Sequence, residues 1–242
     1  MLRTIFFWAL FLPLTLVIIL TGLPLSLLSP NYLHLWGRGW GRLSLRLAGV
    51  RLTAGGRENL PAGAAIFMAN HQSQFDIPAL YAGIPGQFRW LAKAELFRIP
   101  LFGLAMKRAG YIPVNRGDRR EALLSMDYAA RLIAGGTSVV VFPEGTRSPD
   151  GRLLPFKKGG FMLALKSQVP IVPVAIHGTR RLLPKGRRLL RGGSVRVEIL
   201  PPIPTAGLGT ADRDHLMDEV HRALAAALAD DGSEGGDREP RP

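Results

Sequence analysis

The sequence predicts an α/β domain, a largely parallel or mixed sheet flanked by helices, preceded by an N-terminal membrane-anchoring helical pair. Three observations carry this. After residue 50, short β-rich runs alternate with helical stretches, the pattern of layered α/β domains. Three of those runs, "AAIFMA" (64–69), "SVVVF" (138–142) and "IVPVAI" (171–176), are nearly all apolar, as strands buried on both faces are. Finally, Thr4 to Leu28 carries no charge at all.

As a helix, that uncharged N-terminal segment measures about 38 Å, against about 30 Å of bilayer hydrocarbon. It is too long for the apolar core of a signal peptide, and no small-x-small cleavage site follows before Tyr32. Pro13 and Pro24 leave two courses open, a straight crossing or a kinked, re-entrant path. In the next segment Leu33, Trp36, Trp40, Leu43 and Leu47 share a narrow helical stripe, with Arg38, Arg42 and Arg46 on the far side. Such a helix suits the membrane interface; the competing reading is a helix facing the core of the domain. Residues 1–49 are therefore expected to anchor the chain. If the first segment spans, the arginines after it place the remaining domain on the cytoplasmic side of the inner membrane.

Residues 50–229 form the expected α/β domain. Further strands are predicted at 88–92, 111–115 and 195–200, and helices at about 75–83, 100–109, 118–134, 159–167 and 211–229. Asp118 can cap the third of these helices, with Glu121 three residues on. The last thirteen residues, 230–242, are polar and rich in glycine and proline, and are expected to be a disordered tail. No internal repeat is visible.

The chain has 242 residues and is 47% apolar, enough for one sizeable core. It contains no cysteine, which excludes disulfides, thiolate nucleophiles and sulfur-rich zinc sites together. The net charge of +13, from 31 basic and 18 acidic residues, calls for an anionic partner. Seven basic residues lie between Arg180 and Arg196. They form either a solvated loop or a patch for anionic membrane lipids or an acidic carrier protein. A nucleic acid fits less well, because the run lacks interleaved aromatics.

In α/β sheets, sites collect at the carboxyl ends of strands. Asn70, His71 and Asp76 follow one predicted strand, Asn115 and Arg116 another, and "PEGTRS" a third. On one regular helix, His71 and Asp76 would stand about 140° apart. They meet only if His71 lies in a turn and Asp76 opens the next helix, where the carboxylate fixes the imidazole tautomer. No protein nucleophile accompanies them: there is no G-x-S-x-G elbow, and Ser73 lacks its context. His71 is thus expected to activate a hydroxyl of the substrate, work typically worth about 10²–10⁴ in rate. A single histidine–aspartate pair falls short of a metal site. Gly145 lets the backbone approach an anion, and Arg147 offers a planar fork for phosphate oxygens. Lys93 and Arg116 add charge at neighbouring strand ends, and Glu144 would orient the arginines or bond a substrate hydroxyl. Together these residues suggest a small phosphate ester bearing a free hydroxyl.

The motifs taken together resemble the 1-acylglycerol-3-phosphate acyltransferase (lysophosphatidic acid acyltransferase) family, of the bacterial PlsC type. The N-H-x-x-x-x-D block matches Asn70, His71 and Asp76. A second block looks like "KAELFRIPLFG" followed by "GYIPVNR", a third matches Phe142 to Ser148, and a fourth matches Val169 to Val174. The resemblance covers residues 66 to 176 with the blocks in order. It implies a glycerolphosphate-acyltransferase-like fold and transfer of a fatty acyl group to the sn-2 hydroxyl of lysophosphatidate, giving phosphatidate for phospholipid synthesis. His71 would be the base and Asp76 its orienter. Lys93, Arg116, Glu144, Gly145, Thr146 and Arg147 would hold the glycerol phosphate, and Pro173 would shape the acyl pocket. No cofactor is implied; acyl-CoA or acyl carrier protein serves as co-substrate. Asn115, where the family often has aspartate, and Pro113 bear on acceptor preference. The same chemistry on glycerol 3-phosphate, another lysophospholipid or a lyso-amino-acid lipid is the alternative. A non-catalytic lipid-binding protein would leave His71 and Asp76 without a purpose.

Overall fold

The computed structural model describes residues 1–115 and 117–234. Two long helices, α1 (Leu2–Leu25) and α2 (Pro30–Leu47), precede β1 (Val50–Gly55), β2 (Ile66–Ala69), α3 (Asp76–Gly83) and β3 (Phe88–Lys93). Next come α4 (Phe102–Arg108), β4 (Ile112–Val114), α5 (Arg119–Ala134), β5 (Ser138–Val141) and α6 (Lys158–Ser167). The chain continues through β6 (Ile171–His177), α7 (Thr179–Leu182), β7 (Gly193–Ile199) and α8 (Arg213–Glu234). The strands form one mixed sheet in the order β1-β7-β6-β2-β5-β3-β4. β6, β2, β5, β3 and β4 run parallel, while β7 is antiparallel to β6 and parallel to β1.

Alternation along the strands sorts the core into two layers. In β2, Phe67 and Ala69 join the layer holding α1, α2 and α3, whereas Ile66 and Met68 join the layer under α5, α6 and α8. Burial on both faces explains why β2, β5 and β6 read as continuous apolar runs. β1 is absent from the predicted strands: in "VRLTAG" only Val50 is buried, as suits an edge strand. Asp118 does cap α5, accepting the N–H groups of Arg120 and Glu121 at 2.8 and 3.1 Å. At the C-terminus α8 runs to Glu234, beyond the boundary drawn at 230. The rest of the predicted tail, 235–242, lies outside the described residues.

α1 is one continuous helix through Pro13, long and apolar enough to cross a membrane, with most of its surface exposed. α2 packs between α1 and α3, with Leu35, Arg42, Leu43 and Arg46 left exposed. Its tryptophan stripe faces α1: the Trp36 and Trp40 indole N–H groups donate to the Thr21 and Thr15 hydroxyls at 3.0 and 2.9 Å. The neighbouring face, about 100° round the helix, is cut down to glycine so that α3 can approach. A Cβ on Gly41 would lie 2.9 Å from the Pro78 carbonyl oxygen, and one on Gly37 would lie 2.9 Å from the Tyr81 ring. Leu33 of the stripe is buried, while Leu43 stays exposed together with Leu35, and the outer face of α1 is exposed and apolar.

Candidate active site

Three adjacent strands and a fourth neighbour deliver the site. Thr179 follows β6, His71 follows β2, Glu144 follows β5, and Lys93 ends β3, the four strands lying side by side. Asn70 fixes the first junction. Its buried carboxamide donates to the Ile176 carbonyl at 3.0 Å and accepts the Ile176 N–H at 2.7 Å. It thus continues the sheet pairing one residue past β2.

His71 then sits in a turn and Asp76 opens α3, the junction that their spacing requires. Asp76 is fully buried. Its Oδ2 accepts from His71 Nδ1 at 2.7 Å and from the backbone N–H groups of Gln72 and Ser73 at 2.7 and 2.8 Å. Its Oδ1 accepts from the Thr179 hydroxyl. A carboxylate has no proton to give, so Nδ1 carries the hydrogen and Nε2 keeps the lone pair that a base needs. The imidazole also stacks on Phe142, with ring centroids 3.9 Å apart and planes inclined by 14°. Ser73 is buried and its hydroxyl donates to the Leu183 carbonyl at 2.8 Å, which occupies it structurally.

The loop after β5 holds the His71 backbone from both sides. Glu144 Oε1 accepts the His71 N–H at 2.7 Å, and the Ser148 N–H donates to the His71 carbonyl at 2.7 Å. Glu144 Oε2 accepts the Leu154 N–H at 2.9 Å. The sequence reading places Glu144 among the glycerol-phosphate ligands. The structure instead buries it beneath the histidine turn, 1% exposed, with both oxygens turned to the backbone. Burial raises its carboxyl above the usual glutamate range, against the lowering effect of those two N–H donors.

A cavity of about 450 Å³ opens beside His71, a size usual for small-molecule sites, about 300–1,000 Å³. Lys93, Gly145, Thr146 and Arg147 line it together with His71. Gly145 adopts φ +73°, which lets the loop turn sharply at the cavity. Lys93 carries an exposed ion pair with Glu95 at 2.9 Å. The remaining walls are mainly apolar and include Ile18 and Ile19 of α1, Trp40 of α2, Trp90 of β3 and Met106 of α4. Pro173 is not among them. It is buried within β6 opposite Met68, apart from the residues that line this cavity. Arg116 lies outside the described residues. Tyr81 and Tyr111 also line the cavity, their hydroxyls hydrogen-bonded to each other, with Tyr111 3.4 Å from His34 Nδ1.

Two contributors escape the sequence reading. Thr179 follows the same signature as the other strand ends, a polar group after an apolar run, but "HGT" looks like an ordinary turn. Lys185, in the basic run, donates to the Arg147 carbonyl at 2.8 Å and so braces the loop that presents Thr146 and Arg147.

A family model described as Acyltransferase matches residues 51–177, more than half of the chain. The chain belongs to the Acyltransferase family. The matched region contains His71, Asp76 and the whole of Phe142 to Ser148. A chloroplastic 1-acyl-sn-glycerol-3-phosphate acyltransferase of Brassica napus is 36% identical over 219 residues, 88% of this chain. The chain spans 62% of that relative's length. The human 1-acyl-sn-glycerol-3-phosphate acyltransferase alpha is 35% identical over 81% of this chain and 71% of its own length. Among solved structures, the 1-acyl-sn-glycerophosphate acyltransferase PlsC from Thermotoga maritima superposes with a TM-score of 0.82 at 28% identity. That match covers 98% of this chain and 97% of the other. The mixed sheet with flanking helices is therefore that of an Acyltransferase-family member, N-terminal helix included.

Proposed function

We propose that the chain moves a fatty acyl group from a thioester, acyl-CoA or acyl carrier protein, to the sn-2 hydroxyl of 1-acylglycerol 3-phosphate. The product is phosphatidate, and no cofactor is needed. One observation carries the reading: His71 is held on Asp76 and Phe142 beside a largely apolar cavity that Lys93 and Arg147 also line.

His71 Nε2 takes the proton of the acceptor hydroxyl as its oxygen attacks the thioester carbonyl carbon. The tetrahedral intermediate collapses by breaking the carbon–sulfur bond, and the imidazolium returns its proton to the leaving thiolate. Asp76 stabilises the imidazolium in between. Lys93 and Arg147 bind the acceptor phosphate, Gly145 and Thr146 lie against it, and the apolar walls take the acyl chain.

The site of action is the cytoplasmic face of the inner membrane, supported by the uncharged α1 and the arginines that follow it. The exposed basic residues from Arg180 to Arg188 suit anionic lipids around the enzyme.

Purified protein offered both thioester donors against a panel of lysolipid acceptors tests the proposal. Turnover of lysophosphatidate well above all other acceptors is the expected result. Preferred turnover of glycerol 3-phosphate or another lysolipid would reassign the acceptor. No acyl transfer with any of them would overturn the reading.

A further inference from the structure

The backbone of the turn before α4 is unusual. The Phe102 N–H donates to the Pro100 carbonyl at 2.6 Å, with Leu101 between them at φ +58° and ψ −51°. This is a γ-turn of the rare, strained hand, here centred on a leucine. Strain of this kind persists where the surroundings over-determine it, and it clusters at functional positions. The surroundings are plain: Phe97 is buried beneath the turn, and a Cβ on Gly103 would lie 2.2 Å from the Phe97 carbonyl oxygen.

That rigid tip presents apolar side chains to solvent. Leu96, Ile99, Leu101, Phe102 and Leu104 are all exposed within nine residues. Arg98, Lys107 and Arg108 are exposed around them, and the one acid between 93 and 108, Glu95, is paired with Lys93. The patch adjoins the cavity, since Leu96 and Phe102 also line it. It also adjoins α1, because α4 packs on that helix, where Leu16, Val17 and Leu20 are exposed.

We infer that residues 96–104 form a second membrane-contacting element, which dips into an anionic leaflet beside α1 and opens the cavity directly to the lipid. Apolar side chains on a fixed tip enter the acyl boundary, and the surrounding cations meet phosphate headgroups. Charge complementarity and the adjoining apolar face of α1 favour a bilayer over a protein partner. The inference rests on the reading of α1 as membrane-bound.

The chain lacks cysteine, so a single introduced thiol reports its own position. Full-length Leu101→Cys carrying an environment-sensitive nitrobenzoxadiazole label is mixed with phosphatidylcholine vesicles, with or without phosphatidylglycerol. Gly63→Cys, at an exposed position with open space around it, is the control. The Leu101 label should blue-shift and brighten several-fold with phosphatidylglycerol vesicles, while the control stays unchanged. The combined Ile99→Asn, Leu101→Asn and Leu104→Asn variant should bind those vesicles about tenfold more weakly. It should turn over a water-dispersed short-chain acceptor at the wild-type rate. A label that stays in water while the wild-type protein floats with vesicles overturns the inference and leaves α1 as the anchor. Wild-type protein that fails to float overturns both. A label that brightens on concentrating the protein without lipid assigns the turn to a contact between copies and overturns it too.

Discussion

Glu144 Oε1 accepts the backbone N–H of His71 at 2.7 Å, so a conspicuous carboxylate of the third motif supports the base from behind. Glu144→Gln keeps the shape but turns an amide NH₂ toward one of the two backbone donors. Leaving one buried donor unsatisfied costs about 1–3 kcal/mol. The variant should melt at a lower temperature and show reduced kcat with little change in the acceptor KM. A raised KM at unchanged kcat would return Glu144 to the phosphate site.

Thr179 holds the far oxygen of Asp76. Thr179→Val preserves volume and removes one hydrogen bond to a charged group, worth about 1.5–3 kcal/mol. We expect lower kcat at unchanged acceptor KM, and recovery in Thr179→Ser, which restores the hydroxyl. Steady-state kinetics of the three proteins check this.

Arg147 and Lys93 line the same cavity as His71. Arg147→Ala should raise the acceptor KM about tenfold, equivalent to about 1.4 kcal/mol, with kcat largely kept. Lys93→Ala should act in the same direction. Unchanged KM and kcat in both would remove the phosphate role.

His34 is fully buried, and its imidazole is pushed down from 6.5 to about 3, by burial first and then by the charges of Arg89 and Arg38. The unfolded chain therefore takes up a proton that the native state refuses. The stability this group contributes is full above pH 6.5 and is lost as pH falls from there toward about 3. His34→Gln lacks that term, so its melting temperature should fall less over the same window. Melting curves of both proteins across the range decide it.

These cases mark what the sequence makes legible. β2, β5 and β6 are visible because burial on both faces leaves them almost no polar residue, while β1 at the edge mixes polar and small residues and is not. The His71–Asp76 junction is legible because its spacing rules out a single helix. Glu144 and Asn70 are conspicuous in sequence, but their partners are backbone groups, which no residue pattern names. Pro173, a motif position, lies in the sheet opposite Met68 and not among the residues that line the cavity. On α2 the tryptophans draw the eye as a membrane face, yet the contact that fixes the helix to the domain runs through Gly37 and Gly41, which leave no hydrophobic signal.

The central claim is that His71 acts as the base toward a substrate hydroxyl. The most direct measurement is kcat of His71→Ala with lysophosphatidate and acyl donor, on protein shown by its melting curve to be folded. The account predicts a loss of about 10²-fold or more. Retention of more than about a tenth of wild-type turnover would contradict it.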